Sequence, residues 1–241
     1  MNYKNRKTQE WYENSYKEKG INAQRLYPNE ELLRFLGREY FSNVKYKDRS
    51  SIRVLEIGCG SCANLWMVSK EGFDAYGLDL SKSALSLGRK VLEHWSVDAN
   101  LVNSSMTNIP FEDEFFDVIF DVFSSYCLED EGFSQCLDEV ERCLKKGGKF
   151  FSYSPSVESD AYKKYEPARK IDKWTLDGIK NTSMSYCGQN YPFRFISPEY
   201  YRSQLEKRQL DVEYMELVGR TYSFQQEYFE FVTIVGKKKT T

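Results

Sequence analysis

Histidine is almost missing from this 241-residue chain: His94, inside RKVLEHWSV, is the only one. Proton transfer near neutral pH is therefore left to carboxylates, phenols or a nucleophile that needs little help. Net charge is scarce too. A formal balance of −2, from 34 basic and 36 acidic residues, gives no global pull toward nucleic acid or an anionic membrane and favours a small, weakly charged partner. No apolar run approaches the roughly 20 residues of a membrane-spanning helix. The opening MNYKNRKTQEWYENSYKEKG lacks the apolar core of a signal peptide, so the expectation is a cytoplasmic protein that does not use a membrane. Cysteines are few and scattered, at Cys59, Cys62, Cys127, Cys136, Cys143 and Cys187, which suits reduced thiols rather than a secreted disulfide framework. Cys59 and Cys62 form a CxxC without a second ligand pair, and no metal is expected there.

What is present is an ordinary globular composition, 41% hydrophobic and 29% charged, long enough for one α/β domain. Helices are expected over 7–19 and again from Asn29, a cap followed by Glu30 and Glu31, with Leu32, Leu33, Phe35, Leu36 and Tyr40 on one apolar face. Beyond a polar linker the pattern alternates. Strands are expected near 52–57, 74–79, 100–103 and 117–122, with helices near 62–71, 82–95 and 132–145. Such alternation signals a parallel sheet covered by helices. Gly147 and Gly148 read as helix terminators before a fifth strand, and two last strands fall near 211–218 and 227–235 after the helix SPEYYRSQLEKR. The closing GKKKTT reads as a solvated tail.

The most informative stretch is VLEIGCGSC, Val54 to Cys62. A core strand runs into a turn whose Gly58 and Gly60 let backbone approach a ligand, while the next helix aims its N-terminal N–H groups at the same place. A dinucleotide fold uses such a turn too, and Gly58, Gly60 and Ala63 satisfy its loose spacing. Glu56 separates the two. A carboxylate just ahead of the turn would repel a pyrophosphate but suits a ligand carrying an ammonium and a sulfonium.

On EIGCGSCAN, followed by YGLDLS and by NSSMTNIPFEDEFFDVIF, the chain resembles the class I S-adenosylmethionine-dependent methyltransferases, most clearly over about 50–155. The resemblance implies a Rossmann-like α/β fold, a seven-stranded sheet in the order 3-2-1-4-5-7-6 with strand 7 antiparallel and helices on both faces. It also implies S-adenosylmethionine as cofactor. Gly58, Cys59 and Gly60 would line the methionine part, Glu56 its amino group and Asn64 its carboxylate. Asp79 matches the acid that takes both ribose hydroxyls, with Leu80 beside it; Ser81 can cap the following helix by itself. Ser105 stands where members often carry the aspartate that meets adenine, and Met106 would lie against the ring. Cys62 departs from the pattern, standing where many members have a third glycine.

Asp121, at the C-terminal end of the fourth strand, and Tyr126 are the catalytic candidates, Asp121 as a base or as a contact to the cofactor ammonium. Asp117, at the strand's start, reads as structural. An N-terminal helical cap, 1–50, with Trp11, Tyr12 and Tyr16, would close over the cofactor bound by the 51–241 domain. An insertion at about 155–196, with Tyr186, Tyr191, Phe193 and Phe195 as an apolar wall, would act as lid or acceptor segment. The expected reaction is methyl transfer to oxygen or nitrogen of a small molecule, such as a sugar or another metabolite. RNA or protein methylation, a nicotinamide-dependent oxidoreductase and a non-catalytic cofactor-binding module are the alternatives; the chain has no basic extension that would favour nucleic acid.

Overall fold

Val54 and Leu55 are neighbours in sequence yet belong to different apolar clusters, because the pleat of a strand sends successive side chains to opposite faces. The computed structural model, which describes residues 3–180, 182–183 and 191–240, builds both faces from this alternation. Elements follow one another as α1 (Tyr3–Lys19), α2 (Glu30–Leu36), β1 (Arg53–Ile57), α3 (Leu65–Lys70), β2 (Asp74–Asp79), α4 (Lys82–His94), β3 (Asn100–Asn103) and β4 (Phe116–Val122). Then come α5 (Asp130–Cys143), β5 (Leu144–Pro155), α6 (Asp160–Lys163), β6 (Arg169–Lys170), β7 (Thr175–Asp177), β8 (Phe193–Arg194), α7 (Pro198–Glu206), β9 (Leu210–Tyr222) and β10 (Glu227–Lys238).

Seven of these strands form one sheet in the order β3-β2-β1-β4-β5-β10-β9. β10 runs antiparallel to both neighbours, and β1 to β5 are parallel, so β9 and β10 take the expected sixth and seventh places. Leu32, Phe35 and Leu36 of α2 join α3 and α4 side chains over Val54, Val118 and Phe120 on one face. Phe133, Leu137 and Val140 of α5 join Tyr201 and Leu205 of α7 over Leu55, Ile119 and Phe150 on the other. Asn29 caps α2 by accepting from the N–H groups of Glu31 and Leu32, and Ser81 caps α4 by accepting from Ala84.

Three local expectations are corrected. The helix after the glycine turn begins at Leu65, not near 62, because Cys62 holds a left-handed φ of 65°. Gly147 and Gly148 lie within β5, at the irregular register where Phe116 faces Leu144 and Val118 faces Lys149; the strand starts directly at the helix end. The terminal lysines are not all solvated. β10 continues to Lys238, whose Nζ donates to the carbonyls of Glu141 and Leu144 at 2.6 and 3.0 Å and so satisfies C-terminal carbonyls of α5.

The stretch between β5 and α7 carries α6 and a small antiparallel sheet, β6-β7-β8. Tyr191, Phe193 and Phe195 are buried there, while Tyr186 and Cys187 lie outside the described residues. Among the described residues no helix is long and apolar enough to cross a membrane.

Candidate functional site

The C-terminal ends of β1, β2 and β4 open into a cavity of about 770 Å³, roofed by α1 and the segment that follows it. Open α/β sheets bind ligands at this edge. The cavity wall includes Tyr16, Gly58, Gly60, Asp79, Leu80, Met106 and Tyr126. Glu56, Cys59, Asn64, Ser105 and Asp121 are not among the residues that line it.

The glycine turn is tight for steric reasons. A Cβ on Gly58, at φ +70°, would come within 2.4 Å of Ser124 Cβ, so glycine is what lets the turns after β1 and β4 meet. At Gly60, φ +51°, a Cβ would lie 2.2 Å from Gln24 Oε1 and 2.5 Å from the Tyr16 hydroxyl. The N-terminal segment thus touches the turn directly. Gln24 Oε1 accepts from the Ser61 N–H at 3.0 Å and from Tyr16 at 2.8 Å.

The two cysteines of the turn are buried against glycines. A Cβ on Gly77 would sit 2.8 Å from Cys59 Sγ, and one on Gly88 would sit 2.6 Å from Cys62 Sγ. Both thiols are free, and Cys59 is held well above the usual thiol range by its hydrogen bond with Cys62 and by burial. Their side chains fill the space that those glycines leave open.

Glu56 is 2% exposed. Its Oε1 accepts from Asn64 Nδ2 at 2.5 Å, and its Oε2 has no hydrogen-bond partner among the described residues. Burial pushes its carboxyl up to about 8, against the Asn64 bond and the Arg25 charge, which lower it. Asn64 is bonded on both sides of its amide, its Oδ1 accepting from the Asn29 N–H at 2.9 Å and from Arg25 at 3.2 Å. It links Glu56 to the roof.

Asp79 accepts from the Gly60 N–H at 2.9 Å on Oδ2 and from the Ser81 N–H at 2.8 Å on Oδ1. Burial raises its pKa, and those two N–H groups work against the rise. Each oxygen keeps a lone pair for a hydroxyl from the cavity. Ser105 Oγ sits in a local turn with Thr107, 2.7 Å from its hydroxyl and accepting its N–H at 3.1 Å.

Asp121 is wholly buried. Oδ1 accepts from the N–H groups of Ser124 and Ser125 at 3.0 and 3.1 Å and meets the Ser124 hydroxyl; Oδ2 meets the hydroxyls of Ser125 and Ser152. These bonds tie the turn after β4 to β5, and a carboxylate so occupied faces the protein instead of the cavity. Asp117 holds Lys145 Nζ at 2.7 and 2.8 Å and accepts from the Arg53 N–H, at the far end of β4. Tyr126, 5% exposed, does face the cavity, and its hydroxyl meets those of Tyr12 and Tyr191.

Sequence reasoning missed Gln24, Arg25 and Ser124. No motif marks them: their place depends on where α1 and the turn after β4 come to rest.

The family described as "Methyltransferase domain" matches residues 54–148. A phthiotriol/phenolphthiotriol dimycocerosates methyltransferase of Mycobacterium tuberculosis is 29% identical over 206 residues, 78% of this chain and 74% of that protein. Phthiotriol/phenolphthiotriol dimycocerosates methyltransferase 1 of Mycobacterium ulcerans is 30% identical over 140 residues, 57% of this chain, and the match spans about half of that relative, 46%. A solved S-adenosylmethionine-dependent methyltransferase from Methanosarcina mazei superposes with a TM-score of 0.67 at 17% identity, over 78% of this chain and 93% of that one. Over residues 54–148 the chain thus carries a methyltransferase domain, and its fold is similar to that of the solved S-adenosylmethionine-dependent methyltransferase. The family's cofactor fits the residues present: the unpartnered Glu56 Oε2 beneath the turn suits an ammonium, and Asp79 on the wall suits a ribose diol.

Proposed function

We propose that this protein transfers the methyl group of S-adenosylmethionine to a small-molecule acceptor. The observation that carries the reading is a single cavity with a polar cofactor end, Gly58, Gly60 and Asp79, and an aromatic end at Tyr12, Tyr126 and Tyr191. When bound, the cofactor supplies an electrophilic methyl group on a sulfonium. Glu56 would hold its ammonium, with Asn64 fixing that carboxylate, and Asp79 its ribose hydroxyls, with Leu80 and Met106 flanking the ring. Cys59, Ser105 and Asp121 support the wall. Tyr126 orients the acceptor, since alignment is most of what methyl transfer asks of a protein. Tyr16 and Gln24 close the roof over the turn and exclude water.

The N-terminal cap, 1–50, and the insertion, 155–196, select the acceptor in this proposal. The relatives' names, which specify phthiotriol/phenolphthiotriol dimycocerosates, support a small-molecule acceptor over RNA or protein. Action in the cytoplasm belongs to the same proposal, and the free thiols suit a reducing compartment. The test is incubation with methyl-labelled S-adenosylmethionine and separate metabolite, lipid, RNA and protein fractions. Label entering a small molecule or lipid supports the reading; label entering only RNA or protein contradicts it.

A further inference from the structure

Three phenol hydroxyls from distant parts of the chain meet at the aromatic end of the cavity. Tyr12 comes from α1, Tyr126 from the turn after β4, and Tyr191 from the segment before β8. Tyr12 and Tyr126 are hydrogen-bonded, Tyr12 and Tyr191 are 3.1 Å apart, and Tyr126 and Tyr191 are 3.0 Å apart. The three oxygens form a closed triangle. Rings enclose it: Trp11 lies 5.0 Å from Tyr191, Phe123 lies 4.3 Å from Tyr126, and Phe193 lies 4.6 Å from Tyr126, centroid to centroid.

We infer that this triangle is a hydroxyl-recognising site, which holds the acceptor through a hydroxyl group carried on an apolar or aromatic body. A phenol both donates and accepts one hydrogen bond, so three can run head to tail around a ring. A fourth hydroxyl enters such a ring without leaving any member unpaired, because it too donates and accepts. An ammonium only donates and a carboxylate only accepts, and each would bring a charge into a buried site. Among the described residues, none of the groups acting most strongly on Tyr12 and Tyr126 answers that charge. Besides burial, the groups acting most strongly on Tyr12 and Tyr126 are the other phenols and Cys127, with no carboxylate or cation among them. Burial holds the phenols protonated, so they stay neutral donors across the physiological range.

This inference rests on the methyl-transfer reading for the cofactor end and deepens it by naming a hydroxyl-bearing acceptor. The test uses the full chain saturated with S-adenosylhomocysteine and four calorimetric probes: naphthol, naphthalene, naphthoate and naphthylmethylamine. Wild type should bind naphthol about tenfold more tightly than naphthalene, the scale of one hydrogen bond, and more tightly than either charged probe. Tyr12→Phe and Tyr191→Phe should each abolish that tenfold preference while binding naphthalene and S-adenosylhomocysteine as wild type does. Retained cofactor affinity shows each variant is folded, and either one suffices for the reading.

The inference is overturned if wild type does not prefer naphthol, if a charged probe binds more tightly, or if the preference survives both substitutions. Failure of the methyl-transfer reading appears separately, as absence of S-adenosylhomocysteine binding to wild type before any probe is added. The probe comparison is then read on the chain alone, with the same outcomes deciding it.

Discussion

Glu56 is the residue whose ionisation most affects the rest. Its carboxyl moves from an ordinary 4.5 to about 8 on folding, with burial the main cause. Between those values the folded chain keeps a proton that the unfolded chain gives up, so stability falls as pH rises from about 4.5 to 8 and then levels off. Glu56→Gln removes the titration. The variant should match wild type near pH 5 and gain on it steadily toward pH 8, by on the order of 2–4 kcal/mol, in melts recorded across that range. A constant difference at all pH values would contradict this. Cys62 offers a different test. Its thiol occupies the space a side chain at Gly88 would need, and its left-handed backbone is one that glycine adopts without strain. Gly88→Ala should cost about 1–3 kcal/mol by overpacking, and adding Cys62→Gly should recover most of it. Equal losses in the single and double variants would show that the clash lies elsewhere.

At the scale of elements, α1 is tied to the start of α4 by polar contacts. Glu13 accepts from the hydroxyls of Ser81 and Ser83 at 2.7 and 2.6 Å and from the Ser83 N–H, so it serves the N-terminus of α4 as well as tying α1 down. Those bonds bring its carboxyl down to about 2, against its burial. Its contribution is therefore complete above about 4.5 and is lost as pH falls through 2. Glu13→Ala should cost about 1–2 kcal/mol and speed hydrogen exchange in α1 more than in β1 or β4. Uniform acceleration across all three would mean that α1 does not open separately. The sheet was legible in the sequence because β1, β2 and β4 are bounded apolar runs separated by helical periods, and the glycine turn fixes where the first ends. Elements defined by long-range contact were not: Gly147 and Gly148 look like terminators until β5 pairs through them, and Lys238 looks like tail until α5 presents its carbonyls.

For the molecule as a whole, the glycine-turn end of the cavity could be read from a local motif, while its roof could not. Gly58, Gly60 and Asp79 sit within one βαβ unit, so spacing alone brings them together. Gln24, Arg25 and the partners of Tyr126 come from residues far apart in the chain, and their meeting depends on how α1 and the insertion close over the sheet edge. Asp121 shows the converse. Its strand position predicts an acid at the ligand crevice, but three nearby serines turn it inward. The central claim, that this cavity binds S-adenosylmethionine with Asp79 on its ribose, is tested most directly by calorimetric titration with S-adenosylhomocysteine. Wild type should bind, and Asp79→Ala should remain folded and bind about 1.5–3 kcal/mol more weakly, roughly 10- to 150-fold. No binding by wild type, or equal binding by a folded Asp79→Ala variant, would contradict the account.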